Sequence, residues 1–86
     1  MTEQGAMPHG SGYEEAMRLL STLISHYTAV ISQEMAKPTQ STEIIHHARH
    51  SREELWQLRD ALEPQDNQQI DSVIAQYGPL VRELGH

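Results

Sequence analysis

One stretch of the chain concentrates side chains capable of chemistry: Glu43-Ile44-Ile45-His46-His47-Ala48-Arg49-His50-Ser51-Arg52-Glu53-Glu54. His46 and His50 are one helical turn apart, and Glu53 follows three residues later. An i, i+4 imidazole pair is a partial site for zinc, copper or nickel, and a nearby carboxylate adds a third ligand. Glu43 and His46 also share the Glu-x-x-His spacing of di-metal four-helix bundles. Such a centre needs the motif on two helices and carboxylates from two more, all facing inward. Here a helical projection sets His46, His50 and Glu53 opposite Ile44, Leu55 and Leu58, so they point to solvent. The main reading of this stretch is a hydrated face; a metal-binding or metal-responsive protein using His46, His50 and Glu53 is the alternative.

Other chemistries are missing their residues. There is no cysteine, which removes disulfides, thiolates and cysteine-ligated zinc. No serine sits in a Gly-x-Ser-x-Gly elbow, and the single lysine, Lys37, forms no Ser-x-x-Lys pair. The five glycines form neither a Walker loop nor a Gly-x-Gly-x-x-Gly loop. An enzyme is therefore not expected, and neither a cofactor nor a small-molecule substrate is implied.

The charge balance points away from nucleic acid. Twelve acidic residues stand against six basic ones, a formal charge of -6 with His neutral. A net anion repels phosphate backbones. An acidic nucleic-acid mimic that blocks a DNA-binding protein is a further alternative, weakened by arginines that interrupt the carboxylates. Six histidines matter to this balance, because protonating all of them brings the charge near zero. Free imidazole titrates near pH ~6.5, so solubility and self-association should change between about pH 7.5 and 5.5.

A second candidate site lies on the first helix. Leu19 to Gln33 contains no formal charge, although a solvent-facing helix of that length normally carries several. Ser21, Ser25, Thr28 and Ser32 recur at spacings of 4, 3 and 4 beside the apolar arc. Small side chains in such a row let another helix approach closely. Ile45 and Trp56 fall together on the flank of the second helix, beside the stems of Arg49 and Arg52. Tryptophan next to arginine is a composition enriched at interface hot spots. These six residues, Ser21, Ser25, Thr28, Ser32, Ile45 and Trp56, form the candidate interaction surface, set against the simpler reading of ordinary surface residues and a core-edge tryptophan.

The elements that must position these side chains are helices. Tyr13, Met17, Leu20, Ile24, Tyr27 and Ile31 recur every three or four residues, which predicts a helix over 13–37, closed by Pro38. Ser41 or Thr42 can cap a second helix over 42–62, with Ile44, Ala48, Ser51, Leu55, Leu58 and Leu62 inside. Ser51 and Glu54 also have capping-box spacing, so a restart there competes. Asp66 with Gln69 opens a third helix over 66–77, interrupted by Gly78-Pro79 and followed by a short turn over 79–84. Residues 1–12, rich in glycine, read as a flexible leader.

Strand signals are absent. The expected fold is all-α, a small antiparallel three-helix bundle, as one domain over 13–86. A core of this size is marginal for a monomer, since folding buries only about 60% of the chain's surface. No apolar run is long enough for a signal peptide or a membrane span. The sequence thus predicts a cytoplasmic, non-catalytic protein–protein interaction module with a regulatory or chaperone-like role. Its expected partner is itself, as a homodimer, or another helical protein, without nucleic acid or membrane.

Overall fold

The computed structural model describes residues 7–84, with side chains from residue 12 onward. Three helices follow one another: α1 (Met7–Met35), α2 (Thr42–Ala61) and α3 (Asn67–Leu84). No strand occurs among the described residues.

Helix α1 begins at Met7, upstream of the start expected near residue 13, so the second half of the proposed leader is helical; residues 1–6 lie outside the described residues. Pro8 fits because the first turn has no intrahelical use for its missing N–H. Gly12 faces α3, where a Cβ would stand 3.4 Å from Ile70 Cγ2, about van der Waals contact. At the other end, the Lys37 N–H donates to the Glu34 carbonyl at 3.2 Å, a tighter turn that ends the helix ahead of Pro38.

Glu34 locks the α1–α2 connection. It is the one buried charged side chain among the described residues, 5% exposed. Its carboxylate accepts from Lys37 Nζ at 3.0 Å and from the Ser41 backbone N–H at 2.8 Å. The Lys37 ammonium first, then the Ser41 N–H, holds this carboxyl below its ordinary range. Ser41 in turn caps α2, its Oγ accepting from the Ile44 N–H at 3.2 Å.

Helix α2 runs without a break through Ser51 and Glu54, so the competing start there is not used. Ala48, Leu55 and Leu62 are buried as expected, but Ile44 is 43% exposed. The cause is length: α2 runs back along α1, and its first turn lies opposite the connection, where α1 has already ended at Met35.

Asp66 opens α3, Oδ1 accepting from the Gln69 N–H at 3.1 Å. The expected interruption at Gly78-Pro79 is corrected by the structure, because α3 stays helical to Leu84 with Pro79 inside it. Both Pro79 and Ala75, whose carbonyl loses its donor, are exposed, so water can satisfy that oxygen. The apolar face of Ile70, Val73, Ile74, Tyr77 and Val81 continues across the site and favours the longer helix.

The result is an all-α antiparallel three-helix bundle with α1 in the middle. Ala16, Leu20, Leu23 and Ile24 of α1 form the core with Leu55, Leu62, Ile70 and Val73. Helices α2 and α3 each pack on α1, yet their Cα atoms nowhere come within 8 Å of each other. The shape is accordingly extended, 60 × 27 × 15 Å with a radius of gyration of 15.7 Å. A compact chain of this length would have about 12 Å.

Candidate interaction face

The uncharged row of α1 meets the arginines of α2. Arg59 Nε donates to Ser21 Oγ at 3.1 Å, and Arg52 Nη1 donates to Thr28 Oγ1 at 3.2 Å. Both pairs are seven residues apart on each helix, which is two turns in antiparallel register. Near the connection, Arg49 Nη2 lies 4.0 Å from Met35 Sδ. Trp56 stands between Arg52 and Arg59, 42% exposed, with the Arg59 guanidinium 5.3 Å from its ring centroid. Ile45 is half-buried one turn from Arg49, while Ser25 and Ser32 are exposed. The six candidate residues therefore share the side of the α1–α2 hairpin away from α3.

This face has an unusual charge economy. Arg18 pairs with Glu15 at 2.7 Å, which holds the Glu15 carboxyl below its ordinary value, and Lys37 pairs with Glu34. Arg49, Arg52 and Arg59 have no carboxylate within 4.0 Å among the described residues. Their acceptors are two hydroxyls and a thioether. Sequence reading saw the small-residue row and the tryptophan, but not that arginines bridge the two helices.

The histidine-rich stretch is not assembled into a metal centre. His46, His50 and Glu53 are exposed along α2. His50 Nε2 lies 3.1 Å from Glu54 Oε2, and Glu53 Oε2 accepts from Gln57 Nε2 at 3.4 Å, so the two partners turn apart. No group of three His, Asp or Glu side chains among the described residues is arranged to hold a metal ion. Thr42, Glu43, His46, His47 and His50 line a solvent-open hollow of about 430 Å³ along one helix.

On the opposite side of the hairpin, the separation of α2 from α3 leaves a small groove. Leu23 and Tyr27 form its floor, with Ser51, Glu54 and Leu55 on one wall and Tyr77 and Leu80 on the other. Its volume of about 110 Å³ is well below the ~300 Å³ of ordinary ligand pockets. Burial first, then the nearby Glu54 charge, pushes the Tyr77 hydroxyl pKa up. His26 packs its ring edge-on to Tyr27 at 5.1 Å. Glu34 and Tyr77 were missed as organising residues, because their partners are set by the connection and by tertiary packing. The one sequence signal for Glu34 was an acid ending a long uncharged run, three residues before Lys37.

Fold and site together define a helical bundle with a polar, arginine-bridged face. No family model, curated protein or solved structure matches this chain.

Proposed function

We propose that this protein is a non-catalytic interaction module whose working surface is the α1–α2 face away from α3. The observation that carries the reading is the convergence of Trp56, Ile45 and three carboxylate-free arginines on the uncharged row of α1. Exposed aromatic and arginine side chains on a pre-formed helical face are the usual anchors of protein interfaces. The extended shape supports the same reading, since one side of the central helix pair is left without a third layer. Its role is regulatory or chaperone-like, exerted by occupying a partner's surface, and its expected address is the cytoplasm. No helix among the described residues is long and apolar enough to cross a membrane.

A photo-crosslinking side chain at Ser25, compared with one at Gln76 on the outer side of α3, tests the proposal in cells expressing the chain. The expected result is a discrete adduct, to a second copy or another protein, from position 25 alone. Trp56→Ala should remove that adduct without loss of helicity. Equal or absent adducts at the two positions would overturn the reading.

A further inference from the structure

Three of the six basic residues of the chain lie on one face, in a molecule whose formal charge is -6. Each of these guanidiniums is directed at one neutral acceptor: Ser21 Oγ for Arg59, Thr28 Oγ1 for Arg52 and Met35 Sδ for Arg49. A guanidinium has five N–H donors in a planar fork, so most remain for another molecule. Arginine prefers a carboxylate to a hydroxyl, because the charge-assisted, two-pronged pair is shorter and stronger. Along Leu19 to Gln33, the part of α1 beside these arginines, no acid opposes an incoming anion.

We infer that this face docks an acidic helical segment of another protein, whose carboxylates pair with Arg52 and Arg59 and whose apolar side chain packs on Trp56. The inference rests on the interaction reading above and adds the chemistry of the partner. Arg52 and Arg59 are seven residues apart, about 10.5 Å along the axis. Acids at i and i+7 of a partner helix have the same separation, and an apolar residue between them meets the exposed indole.

A second copy fits less well. Pairing this face with itself sets three arginines against three arginines, with only the flanking Glu53 and Asp60 as acids, between two chains that each carry -6. DNA fits less well again. Its continuous charge, one per ~1.7 Å, runs on past the arginines to meet the anionic remainder of the molecule, whereas a short acidic helix can end within the arginine row.

The test uses the full chain and its single tryptophan as reporter. The probe is an amphipathic helical peptide of about 18 residues, with a leucine stripe flanked by glutamates at seven-residue spacing. The control peptide has glutamine for every glutamate. The expected result is a saturable change in Trp56 fluorescence with the Glu peptide, weakening as salt rises from about 0.05 to 0.5 M. Binding should fall at least about tenfold with the Gln peptide, and likewise with the Arg52→Gln/Arg59→Gln chain at unchanged helicity. Arg52→Lys/Arg59→Lys keeps the charge but not the fork, so it should bind between the two, and it serves as the readout if the double glutamine chain loses helicity.

Equal binding of both peptides overturns the inference, as does no saturable change at about 1 mM peptide. Tighter binding of a double-stranded DNA oligonucleotide than of the Glu peptide also overturns it, as does a dimer that dissociates in the double glutamine chain. A discrete Ser25 adduct with no Glu-peptide binding removes the acidic partner and keeps the docking face. Failure of both removes the face itself.

Discussion

The two flanks of α1 are closed by different physics. Toward α3 the closure is apolar and tight: Ile70 is 2% exposed against Gly12, and Val73 is equally buried in the core cluster. Toward the outer side of α2 it consists of two guanidinium–hydroxyl bonds beside a half-exposed tryptophan. Dispersion and apolar burial are lost outright when such contacts open, whereas a surface hydrogen bond exchanges with water or another acceptor at small net cost. One flank therefore holds the fold together, and the other can change partners without unfolding it.

Substitutions can separate the two roles. Ile70→Ala, on the sealed flank, should cost about 2–5 kcal/mol, a fall of roughly 10 °C or more in Tm for a chain of this size. Thermal unfolding followed by circular dichroism measures it. An effect below about 1 kcal/mol would mean that α3 contributes little to the core.

Pro79→Ala should act in the opposite direction, raising stability by about 1–3 kcal/mol because it restores a donor to the Ala75 carbonyl and removes the ring from a helix interior. Unchanged or lowered stability in the same melt would show that Pro79 is already accommodated by a distortion the helix needs.

The Pro79 case also shows where sequence reading stops. The periodicity of α1 and α2 and the caps at Ser41 and Asp66 are local properties, written in spacing and short polar side chains, and they were legible. Proline was read as a stop, since local propensity places it there. Tertiary burial of Tyr77 and Val81 on either side overrode it. Ile44 belonged to the inner stripe by pattern, and only the end of α1 at Met35 leaves it uncovered. Likewise the candidate face was legible as residue types, but the pairing of Arg59 with Ser21, thirty-eight positions apart, depends on the hairpin's register.

Glu34→Gln should lower stability by a smaller amount, since the amide cannot match the pairing with the Lys37 ammonium. The sign with pH is fixed. A carboxyl held below its ordinary value stabilises the fold above the unfolded value of about 4.5, and that contribution is lost as pH falls through the depressed folded value. Wild type and variant should therefore converge on acidification below that range, as followed in melts from neutral to acid pH. A gap that persists in strong acid would assign the difference to packing.

The smallest expected effect is on the outer flank itself. Ser21→Ala with Thr28→Ala should change stability by no more than about 0.5 kcal/mol, because both bonds are partly exposed and their guanidiniums remain hydrated. A loss several times larger in urea unfolding would make this flank part of the structural core and not a docking surface.

Hydroxyl-radical footprinting of the free and the assembled protein shows directly which face is covered. Large apolar side chains are similarly exposed on both sides of the free chain: Met35 at 48% and Trp56 at 42% on the arginine face, Leu80 at 44% and Leu84 at 39% on α3. Assembly is expected to protect Trp56 and Met35 and to leave Leu80 and Leu84 unchanged. Protection of Leu80 and Leu84, with Trp56 still reactive, would contradict this and move the docking surface to α3.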